Sequence, residues 1–391
     1  MINLCFITAT RAEYGLLKPL MALVKESVAY NLQIIATGTH LLPEFGNTYT
    51  FIEKDGFVIT EKLDMLMASD SELGIAKSMG LGMIGCAEIF DRLKPDAIVI
   101  LGDRYEMLAF ASAANIFRIP IVHLHGGEIT EGAYDDSFRH AITKLSYLHF
   151  ASTEEYRNRI IQMGEEPDRV FNVGAIGIDN INSLAFLSKS ELEQELGIQF
   201  KTYNYQVTFH PETLANLSSE KQFQVLLEAI DQLEDSFFVF TKANADTDGK
   251  IINLLIDKYV QENPSKAKVF ASLGSLRFLS LLKVCDAIVG NSSSGIIEAP
   301  SLKVATINIG DRQKGRIQAN SVVNVDTSTN EILDAIELIK TEKFRSLLSN
   351  STNPYGQGNT SEKIMGILAT IEIKKGLTKS FFNRSGFESN K

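Results

Sequence analysis

The sequence predicts an α/β protein made of two doubly wound, Rossmann-like domains, each a parallel sheet covered by helices. Three observations predict it. Short apolar runs of strand length alternate with amphipathic helical stretches almost from end to end, the pattern of βα units rather than of hairpins. The chain has 391 residues, 45% of them hydrophobic, which is more than one ordinary core takes up and enough for two. Polar clusters follow the apolar runs repeatedly, as happens where strand carboxyl ends meet a ligand.

In the first half, strands are expected at Asn3–Thr8, Gln33–Thr37, Ala97–Leu101, Ile121–His125 and Leu148–Ala151. Leu17, Leu20, Met21 and Val24 recur at helical spacing, with Pro19 placed in a first turn where its missing N–H does no harm. Further helices fit Glu106–Phe117, Asp136–Ser146 and Glu154–Met163. A more polar zone, Asn182–Asn204, carries the acid-rich helix Lys189–Leu196 and interrupts the alternation, so the domain junction is expected there, with domains at 1–185 and 186–360. The pattern restarts with strands at Gln206–Phe209, Phe237–Thr241, Val269–Ser272, Ala287–Gly290, Ala305–Ile309 and Val322–Val325. Helices fit Glu220–Leu233, Lys250–Gln261, Leu276–Val284, Asn330–Leu348 and a last one near Glu362–Lys374.

Composition excludes several functions. Lysine and arginine number 38 against 48 acids, a net charge of −10, which argues against non-specific nucleic-acid binding. An anionic ligand would have to be neutralised locally. Cys5, Cys86 and Cys285 are odd in number and widely spaced, so neither a disulfide framework nor a cysteine metal site is expected, and a reducing compartment fits. Met1 leads straight into a strand-like run without an export signal, and no stretch is read as a membrane span. A cytoplasmic protein with no membrane partner is expected.

Four groups of residues carry chemistry. Thr8–Gly15 lies in the first βα turn, where backbone N–H groups can meet an anion and Arg11 adds a fixed charge. The spaced glycines of a dinucleotide fingerprint are missing, and a helix cap with a solvated arginine is the plain alternative. In Gly290-Asn291-Ser292-Ser293-Ser294-Gly295, small hydroxyl residues open a helix and offer donors to phosphate oxygens, with Glu298 one turn on, where it could reach a ribose hydroxyl pair. The third group combines Asp103 and Arg104 with His123, His125 and Glu128, then Asp135 and Asp136. Acids and imidazoles converging at strand ends are what proton transfer requires. A metal pair at His123 and His125 is conceivable, but no further histidine or cysteine has ligand-like spacing, so no metal is expected. Asp136 alone also reads as a helix N-cap. The fourth group is His210 to Thr213, Asn244 to Asp246 and Gly310 to Gln313, each just past an apolar run.

At these residues the chain resembles the hydrolysing UDP-N-acetylglucosamine 2-epimerases, in particular the bacterial branch that makes N-acetylmannosamine for sialic acid capsules. The resemblance runs from Met1 to about Gly376, carried by TATRAEYG, LGDRYE, HGGE, YDDSFRHAITKLS, FHPET, GNSSSGIIEAPS and NIGDRQKGR. It implies the glycosyltransferase-B fold with an interdomain cleft, a C-terminal helix at 361–376 crossing back to the first domain, and a tail at 377–391. It implies a UDP-sugar substrate, no cofactor, elimination of UDP to a 2-acetamidoglucal, and hydration to N-acetylmannosamine. A homo-oligomer, dimer or tetramer, is expected. Carried over by position, Arg11, Arg104, Ser292, Ser293 and Arg312 match diphosphate-contacting positions, and Gly15, Ser294 and Gly295 are expected among the residues that bind the UDP-sugar. Glu298 matches a ribose ligand, and His210, Asn244 and Ser275 match further nucleotide contacts. Asp103, His125, Glu128 and Asp135 fall at the acid–base positions. Many relatives have Glu-Gly-Gly-Glu where this chain has His125-Gly126-Gly127-Glu128, so the base at the sugar 2-position stays open: a neutral His125 could accept the proton near pH 7, and Glu128 and Asp135 are the alternatives. The same residues would also suit a 2,4-diacetamido-2,4,6-trideoxy sugar substrate, a glycosyltransferase, a non-hydrolysing epimerase or a non-catalytic UDP-sugar binder.

Overall fold

The computed structural model describes residues 1–67, 71–131, 133–212, 217–243, 249–374 and 376–383. The chain divides into two compact units, the first comprising Met1–Glu128, Asp135–Asp179 and Tyr355–Lys391, the second Ile129–Tyr134 and Asn180–Pro354. In chain order the first unit contains β1 (Ile2–Thr8), α1 (Arg11–Glu26), β2 (Tyr30–Thr37), α2 (Tyr49–Lys54), β3 (Glu61–Leu63), α3 (Glu72–Leu93), β4 (Ala97–Leu101), α4 (Tyr105–Ile116), β5 (Ile121–Leu124), α5 (Asp135–Leu145), β6 (Leu148–Ala151), α6 (Glu154–Gln162) and β7 (Val170–Asn172). Helix α7 (Gly177–Ser183) runs across the boundary. The second unit follows with α8 (Lys189–Leu196), β8 (Tyr203–Thr208), α9 (Ser219–Asp231), β9 (Ser236–Thr241), α10 (Gly249–Glu262), β10 (Ala267–Phe270), α11 (Gly274–Val284), β11 (Ala287–Gly290), α12 (Ser293–Ile297), β12 (Ala305–Ile309), β13 (Val322–Val325), α13 (Thr329–Lys340) and α14 (Glu342–Asn350). Helix α15 (Thr360–Leu368) belongs to the first unit.

Both sheets are parallel, ordered β3-β2-β1-β4-β5-β6-β7 and β10-β9-β8-β11-β12-β13. Alternate residues of β1 feed different cores. Leu4 and Phe6 pack with Leu17, Leu20 and Met21 of α1, while Cys5 and Ile7 pack with Phe90 and Phe110 of α3 and α4. Burial on both faces explains why these strands read as unbroken apolar runs. Strand order reverses between β1 and β4 in the first sheet and between β8 and β11 in the second. Such switch points open a crevice at the strand carboxyl ends.

Several sequence expectations change. Pro19 lies in the middle of α1, not in its first turn, because the helix begins at Arg11. Thr10 and Glu13 form a capping box that starts it there. The stretch Asn330–Leu348 is two helices. Thr341 is extended (φ −69°, ψ 147°), ending α13, and its hydroxyl accepts from Phe344 N–H to start α14. Strands β3 and β7 are three-residue edge strands too short to show a pattern. The expectation that nothing reaches membrane-span length also fails among the described residues: α3 is long and apolar enough by length and composition. In the fold it packs against α4, burying Ile75, Cys86, Ile89 and Phe90.

The chain end is built into the first unit. Ile364 and Leu368 of α15 join the core of α1, and the Asp179 carboxylate accepts from Thr360 and Ser361 N–H (2.8 and 2.7 Å), capping α15. Beyond it, Gly376 N–H donates to Arg118 O and Phe382 N–H to Gly164 O. Lys379 Nζ reaches the fully buried Glu165 carboxylate (2.7 and 2.8 Å), which also meets Lys144 and His149. Burial alone would raise the Glu165 pKa, but its partners His149, Lys144 and Lys379 outweigh that and hold it down to about 2.

Candidate active site

In the first unit the switch point brings together the ends of β1 and β4. Thr10 caps α1, and Arg11 follows with its guanidinium 3.9 Å over the Phe51 ring. Glu13 folds back so that one oxygen accepts from Ala9 and Thr10 N–H (2.8 and 3.1 Å). Burial pushes its pKa up to about 7, against the lowering pull of Arg104. Gly15 lies inside α1, four residues before Pro19.

At the end of β4, Asp103 is ion-paired to Arg139, a fully buried side chain of α5 that also lies 3.6 Å from Asp136. Arg104 is held through two nitrogens by Glu106, at 3.0 and 3.1 Å. His123 Nε2–H donates to Gly102 O at 2.8 Å, with Nδ1 3.2 Å from Thr143 Oγ1. Burial drives its pKa down to about 3, so it is a neutral ring fixing the turn that carries Asp103. Its neighbour in the suggested metal pair, His125, serves other partners. His125 Nδ1 lies 3.1 Å from Glu128 Oε1, and Nε2 accepts from Ile176 N–H at 3.2 Å. Glu128 is 1% exposed and accepts from Ser152 Oγ at 2.8 Å. Gly127, with φ +76°, is required between them, since a Cβ would lie 2.5 Å from Tyr156 O. Asp135 opens α5, half-buried, and Asp136 pairs along that helix with Arg139 and His140.

In the second unit the switch point joins β8 and β11. Asn291, fully buried, locks them: its amide oxygen accepts from His210 N–H (2.7 Å) and its amide N–H donates to His210 O (2.8 Å). Its carbonyl accepts from Arg312 Nη1 (3.1 Å) and Gln313 Nε2 (2.8 Å), which brings the loop after β12 beside the serine loop. Glu212 accepts from Arg312 N–H at 3.2 Å, and burial raises its pKa. Ser292 caps α12, accepting from Ser294 N–H, and Ser293 and Ser294 form its first turn. Because α12 has only five residues, its dipole is small, and any anion there would rely on hydroxyls, N–H groups and Arg312. Glu298 is buried immediately after it. Gly295 serves packing: a Cβ would lie 2.5 Å from Thr306 Cγ2. Ser275 is in the first turn of α11, after the edge strand β10 and two strands from β8. Asn244 lies outside the described residues.

Glu13, Glu106, Arg139, Glu212, Asn291 and Gln313 lie within motifs that the sequence marked but received no role of their own there, and Ser152 lies in none of those motifs. Two had a readable signal. Thr10-x-x-Glu13 is a capping-box spacing, and Arg139 follows Asp135 and Asp136 at helical spacing.

Comparison with known proteins agrees with this architecture. The model of the UDP-N-acetylglucosamine 2-epimerase family matches residues 22–369. A GDP/UDP-N,N'-diacetylbacillosamine 2-epimerase (hydrolyzing) of Campylobacter jejuni is 46% identical over 343 residues, covering 88% of each chain. The polysialic acid biosynthesis protein P7 of Escherichia coli is 40% identical over 381 residues, 97% of this chain and 95% of that one. In fold, the chain matches the UDP-GlcNAc 2-epimerase of Neisseria meningitidis, solved bound to UDP-GlcNAc, with a TM-score of 0.80 at 20% identity, over 95% of this chain and 100% of the other. The two-sheet α/β fold is that of the glycosyltransferase-B-like epimerases, and the chain belongs to the UDP-N-acetylglucosamine 2-epimerase family.

Proposed function

We propose that the protein is a hydrolysing 2-epimerase acting on a UDP-activated 2-acetamido sugar. The observation that carries this reading is the paired equipment of the two switch points. One presents Asp103 held by Arg139 beside Arg104, the other Ser292–Ser294 beside Arg312. Asp103 removes the proton at C2 as the C1–O bond breaks, the electron pair forms the C1=C2 bond, and UDP departs; Arg11 and Arg104 of the first unit, and Arg312 and the serine hydroxyls of the second, are the groups able to take up diphosphate charge. Water then adds its hydroxyl to C1 while Asp135 or Glu128 returns a proton to C2 from the opposite face, giving the free 2-epimer. Glu298 and His210 are assigned to the nucleoside.

The sugar is best read as 2,4-diacetamido-2,4,6-trideoxyglucose, because the Campylobacter relative at 46% identity is named for that substrate. N-acetylglucosamine, giving N-acetylmannosamine, is the second reading, favoured by the polysialic acid relative at 40%. Incubation with each UDP-sugar in deuterium oxide, followed by proton NMR, tests both. UDP and a free sugar deuterated at C2 are expected, faster from the trideoxy substrate. A product still bearing UDP, or one without label, refutes the elimination.

A further inference from the structure

Where β5 ends, the chain departs from ordinary strand geometry. His125 still donates its N–H to Phe150 O on the neighbouring strand, at 2.9 Å, but its φ is +64°, a left-handed conformation uncommon for any residue other than glycine. That conformation persists at a position where both ring nitrogens are engaged. Nε2 faces the backbone N–H of Ile176 at 3.2 Å. An amide N–H only donates, so Nε2 must present its lone pair, and a neutral imidazole then carries its single proton on Nδ1. Nδ1 points at Glu128 Oε1, 3.1 Å away. The tautomer thus follows from the backbone. The same Oε1 accepts from Ser152 Oγ at 2.8 Å, so donors at the ends of two adjacent strands converge on one carboxylate oxygen. A histidine acting as a base toward substrate would need Nε2 open, and an imidazolium would set its Nε2–H against the Ile176 N–H.

We propose that His125 is a positioning residue: it holds the Glu128 carboxylate through Nδ1–H, anchored from behind by the Ile176 amide, and exchanges no proton with the substrate. This rests on the reading of Glu128 as a proton-transfer group, and it gives His125 a part other than the proton acceptance that the sequence left open to it. The role divides between two contacts that two substitutions separate. His125→Asn puts an amide N–H where Nδ1 was, keeping the donor to Glu128 and losing Ile176. His125→Gln puts an amide oxygen where Nε2 was, keeping Ile176 and losing Glu128.

Two measurements test it. Steady-state kinetics of UDP release should show His125→Gln losing about tenfold more kcat than His125→Asn, with KM for the UDP-sugar changing less than about threefold in either. Independently, the enzyme labelled with ¹⁵N-histidine should show, for the ring signal that disappears in His125→Asn, a pyrrole-type Nδ1 and a pyridine-type Nε2. Equal losses in the two variants, or a proton on Nε2 in the wild type, overturn the proposal. If the wild type releases UDP from no UDP-sugar, the functional reading falls, while the ring spectrum still decides the contact.

Discussion

Acidification from pH 7.5 to pH 5.0 should destabilise a Glu13→Gln variant far more than the wild type. Three buried groups of the first unit titrate differently folded and unfolded. Burial holds His40 at about 4 and His123 at about 3, so each contributes stability above its unfolded value that is lost as pH falls below it. At about 1.4 kcal/mol per unit below a reference near 6.5, the pair costs roughly 4 kcal/mol at pH 5.0. Glu13 runs the other way. Its folded pKa is raised to about 7, so its contribution is present at low pH and lost as pH rises through 7. Falling from 7 to 5 restores about 3 kcal/mol, leaving the wild type a net loss near 1 kcal/mol from these three groups. Glutamine keeps an oxygen for the Ala9 and Thr10 N–H groups but cannot titrate, so the variant should lose the whole ~4 kcal/mol. Other shifted groups, such as His149 and Glu212, are common to both proteins and cancel. Urea midpoints at the two pH values, followed by circular dichroism, give the comparison. Equal losses in wild type and variant would refute the assignment of Glu13 as a carboxyl neutralised by burial.

Asp103→Asn should lower kcat by about a hundredfold or more while calorimetric UDP affinity stays close to wild type, since the amide keeps the shape and loses the base. Full activity would move the base elsewhere. Arg139→Met, which leaves Asp103 and Asp136 without their buried guanidinium, should cost about 3–5 kcal/mol in urea unfolding. Gly290→Ala should weaken UDP binding and stability together, because the new Cβ would lie 2.1 Å from Thr208 O and the φ of +132° adds about 1–3 kcal/mol of strain; unchanged UDP affinity would argue against a ligand at the serine loop. Arg312→Ala should weaken UDP by about 1.5–3 kcal/mol, measured by calorimetry.

Much of the fold was legible because its strands are buried on both faces. Ala97–Leu101 and Ala305–Ile309 read as strands of the same extent as β4 and β12. What escaped were elements without a local signature. The three-residue edge strands β3 and β7 exist through pairing with β2 and β6, and the break at Thr341 is one cap inside a helical period. For the site, residues at strand ends stood out because they are polar after apolar runs. Their supports did not: Arg139 and Glu106 are helix residues whose importance comes from burial, and burial is a property of the fold. His125 shows another limit, since its residue type suggests a base, while its contacts with Glu128 and with the Ile176 amide, 51 positions away, come only from the fold.

The placement of α15 and the Lys379 strap bears on how the chain is made. During synthesis, β1 to β7 leave the ribosome early, yet the core around Leu17, Leu20 and Met21 stays open until Ile364 and Leu368 arrive, and Glu165 waits for Lys379. Domains usually mature in the order of translation. Here the second unit is complete in sequence before the first can close, so the amino-terminal half must pass the time needed to translate some 200 residues with an apolar helix seat exposed. A nascent-chain arrest series should find the first unit protease-sensitive until the strap has cleared the exit tunnel.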